Sequence, residues 1–295
     1  MLPGELIDGR FEVERFAGRG GVGTVYKGRD RLNDRSVAIK VMRSTPQQQS
    51  LRFAREARVL ARLSHPGIVR YLAHGTTRQG EMYLAMDWLE GEDLNERLGR
   101  GVLRVDEAIR LMQRSAQALA AAHQQGIVHR DIKPSNLFLI RGDPDQTVLL
   151  DFGIARSILS TLSVTATGAV IGTPGYMAPE QARGDRQIDA RADVFSLGCV
   201  LFECLTGQQA FPGTNLAAVL AKVLFDQVPS VRDLRPEVPE KLDALIPKML
   251  AKEPDGRLPE QLARCYEDNG SGASYSTRDN VVLLLAAHDG DIAVE

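Results

Sequence analysis

The run Ile127-Val-His-Arg-Asp-Ile-Lys-Pro-Ser-Asn136, followed by Val148-Leu-Leu-Asp-Phe-Gly153, constrains this chain more than any other stretch. It calls for a fold that sets two carboxylates, a lysine and an amide carbonyl side by side. Asp131 is suited to orient an attacking hydroxyl and take its proton, while Asp151 and Asn136 offer the hard oxygen ligands that Mg²⁺ prefers. Lys133 would lie beside a transferred phosphoryl group and offset the charge that spreads over its oxygens. Residues of these types in this order suit phosphoryl transfer.

A chain of 295 residues has room for two lobes with their own cores, and a composition 43% hydrophobic and 25% charged excludes disordered and fibrous classes. The 36 basic and 38 acidic side chains leave a net charge of −2, so no field points to nucleic acid or anionic lipid. No stretch approaches the roughly 20 apolar residues needed to cross a bilayer. The start Met-Leu-Pro-Gly-Glu-Leu lacks the basic and apolar regions of a secretory signal, so a cytoplasmic location is expected. Cys199, Cys204 and Cys265 have no metal-ligand spacing and read as buried reduced thiols without chemistry.

Short apolar runs dominate up to about residue 86. Phe11–Phe16, Thr24–Tyr26 and Val37–Val41 read as three antiparallel strands, with a turn at Leu32-Asn-Asp-Arg35. From Gln48 to Leu63, Leu51, Ala54, Val59, Leu60 and Leu63 recur at approximately helical spacing among Arg and Glu, and Ser64-His-Pro-Gly67 closes the helix. Ile68–Ala73 and Met82–Met86 supply two further strands. Beyond Leu89-Glu-Gly91 the pattern turns helical, over Val105–Gln125, Ala190–Thr206, Asn215–Leu224 and Glu240–Ala251. A boundary of this kind, between a strand-rich and a helix-rich region, is where ligands usually bind.

Gly18-Arg-Gly-Gly-Val-Gly23 lies between two candidate strands, where residues without Cβ let the backbone close over phosphates. A dinucleotide-binding motif needs a helix after the glycines, whereas Thr24-Val-Tyr26 continues as strand. Lys40 ends Val-Ala-Ile-Lys among apolar neighbours, and a partly buried ammonium demands a counter-charge, for which Glu56 is the candidate. Taken singly, each reads as a surface charge; their placement after the glycine run favours the pair.

His129-Arg130-Asp131-x-Lys133-x-x-Asn136 with Asp151-Phe152-Gly153, the glycine run, Lys40 and Glu56 together resemble the protein kinases, and in particular the bacterial Hanks-type serine/threonine kinases. Lys133, two residues after Asp131, is similar to the Ser/Thr-specific branch; tyrosine kinases typically place Ala-Ala-Arg or Arg-Ala-Ala there. The resemblance runs from about residue 11 to about residue 262. It implies a two-lobed α+β fold: a five-stranded antiparallel N-lobe with one main helix over residues 1–86, a connection at 87–91 and a mainly helical C-lobe over 92–264. Residues 265–295 continue no pattern of the family and form an extension of unknown role, with an apolar run at Val281–Ala287.

The same resemblance implies roles for single residues. Gly18, Arg19, Gly20, Gly21, Val22, Gly23, Val25, Ala38 and Met86 would form the ATP site, and backbone groups of Asp87 and Leu89 would bond the adenine. Lys40, held by Glu56, would hold the α- and β-phosphates; Asn136 and Asp151 would bind Mg²⁺; Asp131 would be the base, with Lys133 and Thr173 beside it. Leu60, Tyr71, His129 and Phe152 would stack as a column, although core packing accounts for the apolar members equally. The hydroxyl-rich stretch from Ile154 to Gly168, on composition a solvated loop, would be an activation segment phosphorylated by the enzyme itself at Thr165 and Thr167. Arg130, Arg156 and Arg52 would gather around a phosphate of about −1.5 to −2 charge. Gly172–Glu180 would cradle the substrate peptide, Glu180 would pair with Arg257, and Asp193 would anchor the catalytic-loop backbone.

The activity implied is ATP- and Mg²⁺-dependent phosphorylation of protein Ser/Thr hydroxyls in bacterial signalling. A homodimer through the N-lobe is left open. A nucleotide-binding pseudokinase scaffold and a small-molecule phosphotransferase are the alternatives; the complete catalytic set argues against the first, and the peptide cradle with Thr173 against the second.

Overall fold

Alternating apolar residues separated by closely spaced turn signals build the sheet of the N-terminal part of the chain. The computed structural model describes residues 1–20, 23–42, 47–152 and 174–257, with the backbone alone at 47–52. It divides into two units: one comprises Met1–Glu90 together with Phe152, the other Gly91–Asp151 and the described residues from 174 onward.

The first unit is an antiparallel sheet of strands β1 (Leu6–Ile7), β2 (Phe11–Arg19), β3 (Gly23–Asp30), β4 (Arg35–Met42), β5 (Tyr71–Thr76) and β6 (Met82–Asp87), with helix α1 (Gln47–Leu60). Strand order is β1-β2-β3-β4-β6-β5, so the sheet has six strands, not the five expected. The extra strand is the two-residue β1, which folds back on β2 through Asp8 and Gly9, both at positive φ. Two residues are too few to show alternation in sequence. One face carries the core of Ile7, Phe11, Val13, Val37, Ile39, Val41, Tyr83 and Ala85. Pleating sends Ala38 and Lys40 to the opposite face.

Helix α1 buries Phe53, Ala57 and Leu60, at i, i+4 and i+7, and the Phe53 ring meets His74 of β5 edge-on. Val59, expected on this face, is 38% exposed. Burial of each large apolar side chain contributes about 1.5–3 kcal/mol, so Phe53 and Leu60 seat the helix and Val59 does little. Ile68 and Val69, expected to begin a strand, are buried ahead of β5 without joining its ladder.

The second unit begins at Gly91, whose φ of 149° and a Cβ that would lie 2.0 Å from Leu139 O admit glycine alone. Strands β7 (Gly91–Asp93), β8 (Leu137–Ile140) and β9 (Thr147–Leu149) form a small antiparallel sheet. Its helices are α2 (Leu94–Leu98), α3 (Val105–His123), α4 (Pro179–Arg183), α5 (Arg191–Thr206), α6 (Leu216–Phe225), α7 (Val231–Leu234) and α8 (Glu240–Met249). Helix α5 is buried almost all round, which is why it is apolar on every face. Cys199 and Cys204 lie within it as buried free thiols; Cys265 falls outside the described residues. Among the described residues no helix is long and apolar enough to cross a membrane.

Candidate active site

The β8–β9 hairpin sets the two ends of the chemistry-bearing sequence beside each other. Leu137 pairs with Leu149, and one step further Leu150 N–H donates to Asn136 O at 2.9 Å, so Asn136 and Asp151 leave the ladder as neighbours. Asp151 then takes φ 51°, in the left-handed region that non-glycine residues seldom occupy. Arg130 does the same at φ 65°. Two such residues, each costing about 1–3 kcal/mol, persist only where surrounding bonds over-determine them.

Asp193, fully buried in the first turn of α5, supplies much of that constraint. Its Oδ2 accepts from His129 N–H at 2.8 Å and its Oδ1 from Arg130 N–H at 2.7 Å, while His123 Nε2 lies 2.7 Å from Oδ2. This is the anchoring expected of Asp193. His123, at the C-terminal end of α3, is a member of the clamp that the sequence does not single out, since one histidine ending an amphipathic helix carries no signal of its own. Gln181 Nε2 adds a bond to Arg130 O at 3.0 Å.

His129 is buried under the loop. Its Nε2 lies 2.8 Å from Leu150 O and its Nδ1 accepts from Asp131 N–H at 3.3 Å, a pattern that fits the neutral Nε2–H tautomer. Burial pushes its pKa below the usual value, with the charges of Asp193, Asp131 and Asp151 pulling the other way. Above it, Asp131 Oδ2 accepts from Lys133 Nζ at 2.9 Å and from Asn136 Nδ2 at 3.1 Å, and Asn136 Nδ2 also donates to Asp131 O at 2.7 Å. With its nitrogen committed to two acceptors, the amide of Asn136 has its oxygen as the atom suited to a cation.

In the first unit the ladder registers Gly18 against Val25, Val25 against Lys40 and Lys40 against Leu84, a single row across four strands. The next row on that face carries Ala38 opposite Met86. The sheet therefore brings Gly18, Val25, Ala38, Lys40 and Met86 onto one face. Arg19 pairs with Thr24, and Gly20 N–H donates to Gly23 O at 2.9 Å, closing the loop between β2 and β3. The glycines divide by cause. A Cβ on Gly23 would stand 2.3 Å from Val41 O, whereas Gly18 and Gly20 face open space. Packing accounts for the first, and among the described residues nothing accounts for the other two.

Lys40 and Glu56 are both half-buried. Asp87 is held through its carboxylate by Arg70 at 3.1 Å, and its N–H donates to Arg70 O at 3.0 Å. Leu89 makes no backbone hydrogen bond among the described residues. Leu60, Tyr71, His129 and Phe152 are each buried. Glu180 and Arg257 form a buried bidentate pair at 2.6 and 2.7 Å, and Arg257 also donates to Ala251 O, Lys252 O and Arg191 O. Gly21, Val22, Gly153, Arg156, Thr165, Thr167 and Thr173 lie outside the described residues, as does the side chain of Arg52.

Comparison with known proteins places these features in context. Residues 11–265 match the family described as "Protein kinase domain". The chain is 42% identical over 266 residues to serine/threonine-protein kinase PknB of Mycolicibacterium smegmatis, covering 87% of this chain and 42% of that protein. It is 38% identical over 258 residues to serine/threonine-protein kinase PrkC of Bacillus subtilis, covering 86% and 39% respectively. The chain thus spans about two-fifths of the length of these relatives. Among solved structures, the crystal structure of the Mycobacterium tuberculosis PknI kinase domain superposes with a TM-score of 0.71 at 27% identity, covering 91% of this chain and 98% of that one.

Proposed function

Because the chain belongs to the protein kinase family, matched over residues 11–265, we propose that it transfers the γ-phosphoryl group of ATP to Ser and Thr hydroxyls of proteins. The observation that carries this reading is the convergence of Lys133 Nζ and Asn136 Nδ2 on one oxygen of Asp131, over a buried neutral imidazole. Asp131 so held can orient a hydroxyl and accept its proton as the new O–P bond forms. Lys133, already bonded to that carboxylate, offsets the charge on the phosphoryl oxygens. The serine/threonine kinases among the relatives, and the lysine two residues after Asp131, support hydroxyls of Ser and Thr as acceptors.

The residues present fit both ATP and Mg²⁺. Open space at Gly18 and Gly20, the row of Val25 and Lys40 with Ala38 and Met86 beside it, and backbone groups of Leu89 that bond no other backbone group among the described residues suit a nucleotide, with Lys40, supported by Glu56, on its α- and β-phosphates. The Asn136 amide oxygen and the Asp151 carboxylate are the hard donors for Mg²⁺, which when bound neutralises charge on the phosphates. Thr165 and Thr167 are the proposed sites of self-phosphorylation, and Thr173 the proposed partner of Asp131 and Lys133. A cytoplasmic signalling role, with protein substrates as partners, follows from the same reading.

The test is phosphate incorporation from ATP with Mg²⁺ into the protein and into a generic basic protein, mapped by mass spectrometry. Incorporation should disappear in Asp151→Asn and fall by orders of magnitude in Asp131→Asn, with ATP binding to Asp131→Asn retained by thermal shift. Undiminished turnover in Asp131→Asn would remove it as the base.

A further inference from the structure

Helix α6 has the sequence Leu-Ala-Ala-Val-Leu-Ala-Lys-Val-Leu-Phe, yet only Val219 and Val223 are buried. Ala217, Ala221 and Phe225, at i, i+4 and i+8, are exposed, Phe225 to 77%, and Leu220 and Leu224 are half-buried beside them. The result is an apolar stripe along the whole helix. Other long helices of this unit turn charge outward: Asp106 and Arg114 on α3, Lys241 and Lys248 on α8 are exposed. A stripe of this kind marks a surface that is covered by something.

The chain itself carries a matching segment. Arg257, the last described residue, donates to Ala251 O at 2.7 Å and Lys252 O at 3.0 Å. Lys252 Nζ in turn donates to Val223 O at 2.8 Å and Lys222 O at 3.3 Å, in the last turn of α6. The polypeptide therefore leaves the described region beside the end of α6 that bears Phe225. Further along the sequence comes Val281-Val-Leu-Leu-Leu-Ala-Ala287, an uncharged run bracketed by Arg278 and Asp279 on one side and His288 and Asp289 on the other. Residues 258–280, at about 3.3 Å each when extended, reach several times the length of a helix that rises about 1.5 Å per residue.

We propose that Val281–Ala287 packs in cis on the α6 face formed by Ala217, Leu220, Ala221, Leu224 and Phe225. Tethering decides between this segment and a second copy of the chain: covalent attachment gives an effective concentration of order millimolar, about a thousandfold above a micromolar solution. The segment buries its own apolar side chains and those of α6 in one step, and its charged flanks stay in water.

The experiment is amide hydrogen exchange on the full 295-residue chain at low and high protein concentration, beside Phe225→Asp and Leu284→Asp. Residues 281–287 should exchange at least about tenfold more slowly than residues 258–280, to the same extent at both concentrations. Each substitution should abolish that protection. Phe225→Asp lies on an exposed position and Leu284→Asp outside the described fold, so each should unfold in one cooperative transition, lowered equally in the two by the docking that both remove. Unprotected amides at 281–287, protection that survives Phe225→Asp, or protection that grows with concentration would each overturn the proposal, the last in favour of a second copy. No step depends on catalytic activity.

Discussion

Asp193 and Glu180 are buried carboxylates, the first holding the His129–Arg130 backbone and the second Arg257, and they differ in what their loss would expose. Asp193→Ala strands the N–H groups of His129 and Arg130 in a buried site, at about 1–3 kcal/mol for each unsatisfied donor. Urea unfolding should register a loss in that range or its double. Glu180→Ala leaves the Arg257 guanidinium buried and uncompensated, for which about 3–5 kcal/mol is expected. The control is Glu253→Ala. Its partner Arg183 is 2.8 Å away, but the Glu253 side chain is 71% exposed, and such a pair contributes roughly 0–1 kcal/mol. Equal losses for Glu180 and Glu253 would show that burial does not set the strength of these pairs.

The element around the glycine loop separates stability from binding. Gly23→Ala drives a Cβ into Val41 O and should destabilise the protein by about 1–3 kcal/mol, read by thermal unfolding without nucleotide. Gly18→Ala meets nothing and should leave unfolding unchanged while weakening ATP binding under the proposed function. A Gly18→Ala variant that lost stability but bound ATP normally would reverse that assignment. Sequence periodicity exposed β3, β4, β6, α3 and α5 because each is long enough to repeat its pattern. It missed β1, whose two residues cannot alternate, and α2, whose sole signal is Asp93 capping the N–H of Glu96. In α1 it marks Leu60, which is buried, but also the exposed Val59, and passes over Phe53 and Ala57, since apolar identity alone does not fix a helix's phase. The motif marks Asp131, Lys133 and Asn136 as candidates, and the anchoring by Asp193 comes from the family resemblance, whereas His123 reaches Asp193 across seventy residues of sequence, a distance no local pattern reports.

Across the whole molecule, the buried titratable groups bound the pH range of stability on both sides. Burial holds His129 and His74 below their usual pKa, so the unfolded chain binds more protons than the folded one once pH falls below about 6.5. Stability is therefore full above that value and declines as pH drops. Hydrogen bonds from Arg10 and Arg191 hold Asp30 and Asp189 low, which extends the loss below about pH 4. Glu203, raised by burial, runs the other way, one group against several. On the alkaline side, burial pushes the thiols of Cys199 and Cys204 up. The unfolded thiols ionise from about 8.5 while the folded ones do not, so stability falls as pH rises past that point. Lys252 opposes this: its ammonium, desolvated against Phe211, is pulled down to about 8, and the unfolded lysine keeps its proton to about 10.4. Between about pH 8.5 and about pH 10 two thiols outweigh one ammonium, so the alkaline limb should descend there, but by roughly half its unopposed slope. Lys252→Met removes the opposition and should steepen that limb. Unfolding free energies in urea with a reductant, from about pH 4 to about pH 11, would read both limbs. A Lys252→Met profile parallel to the parent's above pH 8 would show that this lysine titrates as it does in water.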